Sequence, residues 1–580
     1  MDLGQARAAA LLWKSQDPDP VTVQEIEKIL GDKTSDAQLL HDLDDRFSSQ
    51  LEFGTAGLRG VIGAGPNRIN RAVVRRTTAG LARYLKKNLP DVASRGVVIG
   101  RDGRTMSPEF TQDTAGVFAA EGIVAWVFKN PVPTPVTAYA TVRLKVAGSV
   151  MITASHNPAE YNGYKVYWQN GAQIIPPHDV GIAEEIGKVE SAREVKLLSE
   201  AESRSKGLWR DVPDSVSEQY FNDLLQLRLQ PTRSSSVSIV YTAMHGVGGP
   251  WAQEVLKRAG FSLFHPVPEQ FDPDAKFPTV AFPNPEEKGA MDLSLALAER
   301  EKADLILAND PDADRLAVAA RDSSSVMRVF NGNEIGVLLG HYLLTHFEKK
   351  GAQPLVLASL VSSGQLGEIA RKLGARYEET LTGFKWIANR AIDLEASDGV
   401  KCLFGYEEAL GYSVANLVHD KDGIGAALLF AELTDALKRQ GRTPWDQLES
   451  IQREFGLFVT LQQSITLPGT EGQATVIRIM GGFRQSAPPR IGEHPVVEIR
   501  DYQSGVSGLP KANVLVYLLP EGGKVTVRPS GTEPKIKYYF ELKEDLRGDE
   551  PIVTARERAN KKLQQLAQAF TVLAKERGQP

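Results

Sequence analysis

Short apolar runs of strand length alternate with longer stretches of helical spacing through most of the chain. In the first part, apolar runs at 96–100, 123–128 and 150–152 are separated by helical spacing at 71–87 and 107–121. Regular alternation of strands and helices predicts an α/β fold with mainly parallel sheets, in which the loops cluster at the strand ends. Functional side chains are therefore expected on loops that follow strands.

The alternation resumes twice after a polar segment at 230–236, which we interpret as a linker. Apolar runs at 237–241 and 303–308 belong to the second stretch, and the run at 354–358 opens the third. The C-terminal part differs, because short apolar runs separated by turns dominate until a closing helix at 553–575. Three α/β units and a different C-terminal region are therefore predicted.

Length and composition favour a multidomain, water-soluble protein. At 580 residues the chain exceeds what one core can serve, so about three to five domains are expected. Hydrophobic residues make up 42% and charged residues 24%, and the net charge of -5 suggests neither a nucleic acid nor an anionic membrane as a partner. The single cysteine, Cys402, excludes an internal disulfide and should be a buried apolar side chain. No signal peptide or membrane span is recognisable, so we expect a cytoplasmic protein.

A serine-containing turn after the apolar run 150–152 is the first candidate for chemistry. Ser155 is followed by His156, and turn-forming residues continue through Asn162-Gly163 to Lys165. A serine hydroxyl beside an imidazole and near an ammonium group can act as a nucleophile or as a phosphate carrier. An ordinary capping turn explains this stretch equally well when it is considered alone.

Three alternating aspartates, Asp310, Asp312 and Asp314, follow the apolar run 303–308. In an extended backbone, alternate side chains point to the same side. Three adjacent carboxylates repel one another unless a cation neutralises them, and oxygen ligands suit Mg²⁺. The alternative is a solvated acidic turn. We favour the metal site, because the aspartates follow a long apolar strand and precede Arg315.

Groups suited to phosphates or sugar hydroxyls occur on further predicted loops. Arg59 lies in a glycine-rich turn, and Arg101 follows the run 96–100. The remaining candidates are Thr382, Gly383, Glu407, Glu408, Lys421, Arg528, Ser530, Gly531 and Thr532. Each has an ordinary alternative: the acids could begin a helix, and the last four residues could form a β-turn.

Four of these stretches together resemble the α-D-phosphohexomutase superfamily, in the order found there. The four are TASHNP at 153–158, DPDADR at 310–315, GYEEALGY at 405–412 and RPSGTEPK at 528–535. The resemblance implies four domains around a central cleft, three related mixed α/β sandwich domains and a smaller α+β C-terminal domain. The expected domains are 1–230, 231–345, 346–455 and 456–580, and each supplies one of these loops.

The resemblance also implies roles for individual residues. Ser155 would carry the transferable phosphoryl group, and its phosphate would bind Mg²⁺ together with the three aspartates. His156 and Lys165 would transfer protons, and the sequence does not decide which one acts in which half-reaction. Arg59 and Arg315 would lie near the phosphoryl group. Glu407 would contact a sugar hydroxyl, and the non-reacting phosphate would be clamped by Lys421, Arg528, Ser530, Gly531 and Thr532.

The implied activity is that of a phosphosugar mutase, primed by glucose 1,6-bisphosphate or a related sugar bisphosphate. Ala409 stands where many glucose-type members have serine, so glucose and pentose phosphates both stay open, with glucose favoured. Alternatives are a bisphosphate synthase that uses an acyl-phosphate donor, and a non-catalytic sugar-phosphate-binding protein. Intact Ser155, Lys165 and aspartates argue against the last. The expected partner is a small phosphosugar, and a monomer or homodimer is expected.

Overall fold

The computed structural model describes residues 1–31, 35–54, 57–348, 351–467, 469–506, 508–529 and 535–579. The chain forms two compact units, of which neither is a continuous segment. The first contains residues 1–330 and 409–441, and the second contains residues 331–408 and 442–580.

A six-stranded mixed sheet organises the N-terminal part of the first unit. The strand order is Leu58–Val61, Tyr161–Trp168, Gly148–Ile152, Val97–Arg101, Ala125–Val127 and Trp209–Asp211. The last four strands in this order are parallel, and the first two run antiparallel to their neighbours. Arg101 lies opposite Ile152, so the loops that follow these two strands begin at the same edge of the sheet.

Helices cover this sheet because its central strands are apolar on both faces. Val98 and Met151 on one face, and Ile99 and Val150 on the other, are completely buried, and burying each such side chain stabilises the fold by about 1.5–3 kcal/mol. The α-helices of this part are Leu3–Gln16, Pro20–Gly31, Asp36–Phe47, Arg71–Asn88, Val92–Arg95, Ser107–Ala120, Thr134–Arg143, His178–Gly187, Glu200–Ser205 and Asp214–Gln226.

A second, five-stranded sheet follows in the same unit. Its order is Met327–Val329, Ala317–Arg321, Leu305–Ala308, Ile239–Thr242 and Phe264–Pro266, with the last three strands parallel. Its α-helices are Gly248–Arg258 and Asp292–Glu301. The strand Leu305–Ala308 is completely buried and leads directly to the three aspartates.

Residues 409–441 complete the first unit with the strand Gly411–Val414 and the helix Gly423–Lys438. This helix is buried along nearly its whole length, including the acidic Glu432. Glu432 accepts hydrogen bonds from Arg228 Nε at 2.8 Å and from the backbone N–H of Leu229 at 2.7 Å. A buried carboxylate is tolerated where it is paired and hydrogen-bonded in this way.

The second unit contains an α/β part and an antiparallel part. The α/β part has parallel strands Arg376–Thr380, Pro354–Ser359 and Lys401–Glu407 with helices Gly332–His346, Gln365–Leu373, Phe384–Asp398 and Pro444–Phe455. The antiparallel sheet has the order Leu457–Thr466, Lys535–Glu544, Lys524–Pro529, Leu515–Leu518 and Glu498–Asp501. The helices Gly469–Gln485 and Ile552–Gly578 and the short strand pair Arg490–Ile491 and His494–Pro495 complete it.

The predicted fold class, three α/β domains and a different C-terminal domain, is confirmed, and its domain boundaries stay a prediction. One local interpretation is wrong: Asn162 and Gly163 lie inside the strand Tyr161–Trp168, not in a turn. Gly163 is required there because a Cβ atom would lie 2.4 Å from Thr153 O and 2.8 Å from Leu58 O.

Cys402 is buried, which raises the pKa of its thiol to about 12. None of the helices in the described ranges has the length and apolar character needed to cross a membrane.

The buried Arg228–Glu432 pair should be important for the stability of the first unit. We expect Glu432→Ala to lower the free energy of unfolding by about 3–5 kcal/mol, because it leaves a buried guanidinium without its carboxylate. Denaturant unfolding measures this change. The matched control is Glu254→Ala, which removes a helix-surface partner of Arg258 and should cost less than about 0.5 kcal/mol. Equal effects of the two substitutions would contradict the assignment.

Candidate active site

Ser155 lies in a tight turn at the end of the strand Gly148–Ile152. Its backbone is left-handed, with φ +55°, and its side chain is buried. The N–H of Ser155 donates to Thr153 Oγ1 at 2.8 Å. Its hydroxyl donates to Asp310 Oδ2 at 3.0 Å, and His156 Nδ1 lies 3.2 Å away. The predicted nucleophile and the first predicted metal ligand are therefore in direct contact.

The three aspartates converge on one point, but for a different reason from the one expected. Their loop is a turn and not an extended strand, since the N–H of Ala313 donates to Asp310 O at 2.8 Å and Ala313 has φ +55°. A carboxylate oxygen from each aspartate lies within 4.8 Å of the other two. All three side chains are completely buried.

Thr134 and Gly246 support this loop from neighbouring parts of the first unit. Thr134 donates through its hydroxyl to Asp312 Oδ2 at 2.6 Å and through its N–H to Asp312 O at 2.9 Å. The backbone at Gly246 passes so close that a Cβ atom there would lie 2.3 Å from Pro311 Cα. The loop is therefore fixed by contacts on both sides.

Two lysines neutralise part of the acidic charge. Lys165 Nζ lies 2.8 Å from Asp312 Oδ2 and 3.0 Å from Asp314 Oδ2. Lys421 Nζ lies 3.4 Å from Asp314 Oδ2 and 3.8 Å from Asp420 Oδ1. Asp420 accepts hydrogen bonds from the hydroxyl of Tyr167 at 2.7 Å and from Gln173 at 2.8 Å. Lys421, which was predicted in a phosphate clamp, thus contacts the aspartate loop.

The pKa values of these groups depend on burial and on their closest charges. Burial raises the pKa of Asp310 well above its ordinary value, and the charges of Asp312 and Asp314 raise it further. Burial also opposes ionisation of Asp312, but Lys165 and Thr134 lower its pKa below the ordinary value. Burial by itself lowers the pKa of Lys165, yet its three acidic neighbours raise it. Lys165 is therefore held in its protonated form.

The aspartate loop fits a divalent cation. Among the residues that the structure describes, Asp312 Oδ1 and Asp314 Oδ1 are buried without a hydrogen-bond partner. A buried charged oxygen without a partner is costly, and a cation would satisfy both atoms. Oxygen ligands about 2.0–2.1 Å from one Mg²⁺ ion lie up to about 4.2 Å apart, which is close to the spread of the three carboxylate oxygens, all within 4.8 Å of one another. Asp310, Asp312 and Asp314 would hold Mg²⁺, with Ser155 beside them.

The other three predicted catalytic residues also lie near Ser155. Arg315 Nε is 4.0 Å from Asp310 Oδ2, and its Nη1 atom is 3.7 Å from Glu286 Oε2. Arg59 belongs to the strand Leu58–Val61, not to a turn, and donates to Asn157 Oδ1 at 3.1 Å. Burial, followed by the charges of Arg315 and Arg59, lowers the pKa of His156 well below its ordinary value. The imidazole is therefore in its neutral form near pH 7.

Arg101, a predicted ligand-binding residue, makes hydrogen bonds to two backbone carbonyls, and its role in ligand binding stays a prediction. Its guanidinium donates to Phe128 O at 3.2 Å and to Lys129 O at 3.0 Å. Arg104, three residues later, is the arginine that contacts the serine turn, through the backbone carbonyls of Asn157, Pro158 and others. The sequence shows both arginines but gives no sign of which one reaches these carbonyls.

The predicted sugar-binding residues lie together in the second unit. Glu407 Oε1 accepts the N–H of Gly383 at 2.7 Å, which joins the two loops after their strands. Thr382 Oγ1 is buried and, within the described ranges, has no hydrogen-bond partner. Glu408 Oε2 lies 3.2 Å from Ser359 Oγ and 3.3 Å from Ser362 Oγ. These groups form a polar cluster at one sheet edge.

The predicted phosphate cradle can be located only in part. Arg528 is half-buried near the end of the strand Lys524–Pro529. In the antiparallel sheet its backbone lies opposite that of Lys537. Ser530, Gly531 and Thr532 lie outside the described residues. Their assignment as phosphate ligands stays a prediction.

Comparisons with known proteins show the family to which this fold and this site belong. Three domain profiles match the chain, described as phosphoglucomutase/phosphomannomutase alpha/beta/alpha domains I, II and III, over residues 50–193, 218–323 and 331–455. The chain is 39% identical over 565 residues to a phosphopentomutase of Mus musculus, covering 91% of this chain and 89% of that protein. It is 35% identical over 569 residues to a glucose 1,6-bisphosphate synthase of Homo sapiens, with 91% and 89% covered.

Among solved structures, the chain resembles the Paramecium phosphoprotein pp63/parafusin, described as a phosphoglucomutase in an open form. The TM-score is 0.69 at 20% sequence identity, over 90% of this chain and 96% of that one. At this identity the likeness shows the fold alone. From the domain matches and the relatives, the chain belongs to the phosphoglucomutase/phosphomannomutase family of the α-D-phosphohexomutase superfamily, and it is an intramolecular phosphotransferase.

Cation binding by the aspartate loop can be measured without any substrate. We expect Mg²⁺ to raise the melting temperature of the wild-type protein, because a ligand that binds only the folded state stabilises it by about 2.7 kcal/mol at 100 times its Kd. Asp312→Asn should remove most of this increase.

The control for the cation experiment is Asp272→Asn, which changes an exposed carboxylate of the same unit. This variant should respond to Mg²⁺ as the wild type does. If Asp312→Asn kept the full Mg²⁺-dependent increase in melting temperature, the aspartate loop would not be the cation site.

Proposed function

We propose that this enzyme is a phosphosugar mutase that interconverts sugar 1-phosphates and the corresponding terminal phosphates through a phosphoserine at Ser155. The observation that carries the proposal is the contact between Ser155 Oγ and Asp310 Oδ2, at 3.0 Å in a buried cluster of three carboxylates. A phosphorylated serine at this position would be adjacent to the cation-binding group and to two arginines. That arrangement suits a phosphoryl group with about two negative charges.

The proposed reaction has two phosphoryl transfers in opposite directions. In the first, a sugar hydroxyl oxygen forms a bond to phosphorus while the bond from phosphorus to Ser155 Oγ breaks, which yields a sugar bisphosphate. In the second, Ser155 Oγ takes the other phosphoryl group and releases the isomeric monophosphate. His156 Nδ1, 3.2 Å from Ser155 Oγ, and Lys165 are the proposed proton-transfer residues. Bound Mg²⁺ would offset negative charge on the transferred group.

The substrate-binding residues of the proposal are those implied by the family resemblance. Glu407, fixed by the N–H of Gly383, and the buried hydroxyl of Thr382 would contact the sugar. Arg528 with Ser530, Gly531 and Thr532 would bind the phosphate that does not react. A sugar bisphosphate such as glucose 1,6-bisphosphate would prime the enzyme, as an unphosphorylated serine cannot start the cycle.

We propose that both hexose and pentose phosphates are substrates. The loop GYEEALGY lacks the serine typical of many glucose-type members, and the two relatives reported above are named a phosphopentomutase and a glucose 1,6-bisphosphate synthase. Our preference for glucose 1-phosphate over ribose or deoxyribose 1-phosphate is a prediction from the sequence. The ratio of kcat/KM for the two sugars tests it.

Phosphorus NMR tests the mutase proposal directly. With Mg²⁺ and a trace of glucose 1,6-bisphosphate, the signal of glucose 1-phosphate should convert to glucose 6-phosphate, and that of ribose 1-phosphate to ribose 5-phosphate. Ser155→Ala should lower the rate by about 10⁴-fold or more, since the covalent carrier is lost. Ser324→Ala, on an exposed turn of the same unit, should leave the rate unchanged.

A bisphosphate synthase is the second candidate, because a relative with that name is 35% identical over most of the chain. This activity would need an acyl-phosphate donor. With such a donor added to the NMR sample, the sugar bisphosphate would accumulate. Net accumulation without isomerisation would replace the mutase proposal. No turnover with either donor, and identical behaviour of wild type and Ser155→Ala, would refute both.

A further inference from the structure

Arg104 makes an unusual set of contacts beneath the serine turn. Its side chain is almost completely buried, on the loop that follows the strand Val97–Arg101. Among the residues that the structure describes, its guanidinium hydrogen bonds only to Asp102 and to four backbone carbonyls. These are the carbonyls of Ser155, Asn157 at 2.6 Å, Pro158 at 2.8 Å and Tyr161 at 3.1 Å.

We propose that Arg104, together with Asp102, is a positioning residue that holds Ser155 in the conformation required for phosphoryl transfer. The inference rests on the proposed function of Ser155 as the phosphate carrier. Arg104 does not contact the serine hydroxyl. It acts on the backbone of the turn, and so on the place where the hydroxyl points.

The serine turn needs such support because its conformation is unfavourable by itself. A non-glycine residue at φ +55° costs about 1–2 kcal/mol relative to ordinary backbone. The turn also directs the carbonyl oxygens of Ser155 and Asn157 toward the guanidinium, and a buried carbonyl that loses its donor is costly. The guanidinium has five N–H donors in a rigid plane, so one side chain can satisfy several carbonyls at once.

Asp102 fixes the same turn through a second connection. Thr153 Oγ1 donates to Asp102 Oδ2 at 2.6 Å and accepts the N–H of Ser155 at 2.8 Å. An ionised carboxylate only accepts hydrogen bonds, so the Thr153 hydroxyl must donate to it and keeps a lone pair for Ser155. Asp102 also accepts from Arg104 Nε at 3.2 Å. The pair therefore holds Ser155 through its N–H and its C=O.

Lysine cannot replace Arg104 in this role, although it keeps the positive charge. An ammonium group is a point charge without a planar fork, and it cannot reach four carbonyls and a carboxylate together. The guanidinium carbon of Arg104 also lies over the ring of Phe277, 5.0 Å from the ring centroid. Arg104→Lys therefore separates the geometry of the clamp from its charge.

Steady-state kinetics provide the first test, with glucose 1-phosphate as the substrate and glucose 1,6-bisphosphate as the primer. Arg104→Lys should lower kcat by about 100-fold, the size expected for a small displacement of a reacting group. KM should change by less than about 3-fold, because the substrate-binding residues are untouched. The matched control is Arg95→Lys, whose arginine donates to Lys145 O and Val146 O, both at 2.9 Å, beside the start of the same strands. This control should keep the wild-type kcat.

Hydrogen–deuterium exchange provides the second test, and it needs no activity. The amide hydrogens of peptides that cover 153–163 should exchange at least about 10-fold faster in Arg104→Lys than in the wild type. Peptides from the aspartate loop, around 310–314, should keep their wild-type protection. Asp102→Asn, which has the same size, should show the same increase, because both carboxylate oxygens of Asp102 accept hydrogen bonds from Arg104 and the amide replaces one of these acceptors by a donor. Asp102→Asn therefore still tests the proposal if Arg104→Lys fails to fold.

The outcomes of these tests are distinguishable. If wild-type protein turns over no phosphosugar, the proposed function fails, and the exchange experiment still decides whether the clamp exists. If the wild type is active and Arg104→Lys keeps its kcat, or changes only KM, the positioning role is overturned. Unchanged exchange at 153–163 in both variants would overturn it as well.

Discussion

The burial of three carboxylates at the end of one strand is the constraint on which the first unit depends. Asp310, Asp312 and Asp314 are excluded from water, and mutually repelling buried charges destabilise a fold unless other groups compensate. Lys165 comes from the six-stranded sheet and Lys421 from the segment 409–441. Three distant parts of the sequence must therefore be in place before the charges balance. The same balance leaves two carboxylate oxygens available for a cation.

Several loops of the first unit contain residues with strained backbone conformations. Ser155, Met244, His245, Ala313 and Leu410 all have positive φ, and each stands in a loop that follows a buried strand. Such conformations cost about 1–3 kcal/mol each and persist only where the surroundings enforce them. Gly246, pressed against Pro311, and Thr134, bonded to Asp312, show how neighbouring loops supply that enforcement. The free energy gained by packing the sheets offsets the cost of these loop conformations.

The spacing of apolar residues along the chain is enough to predict individual helices and strands. The helix predicted at 71–87 is Arg71–Asn88, and the apolar run at 354–358 is the strand Pro354–Ser359. Ser155 and the aspartates could be found because unusual polar residues directly follow apolar strands. Asn162-Gly163 was misassigned because the glycine serves close strand packing, a contact between residues distant in sequence.

Residues that act through the backbone of another segment were the hardest to recognise. Arg101 and Arg104 are alike in the sequence, and only the folded chain shows which one meets the carbonyls of the serine turn. Lys421 is predicted from the family resemblance to bind a phosphate, and only the folded chain shows its contacts with Asp314 and Asp420. Side chains that bind backbone carry no complementary signal elsewhere in the sequence. Which charged residues pair across distant segments is likewise shown only by the folded chain.

The return of residues 409–441 to the first unit has a consequence for synthesis of the chain. The helix Gly423–Lys438, buried over nearly its whole length, is made only after the polypeptide has passed through the first part of the second unit. A nascent chain ending at residue 330 carries Ser155 and all three aspartates, but it lacks both Lys421 and the apolar helix. The first unit therefore cannot finish folding in the order in which it is synthesised, and during that interval its uncovered apolar surface is exposed to chaperones and to aggregation.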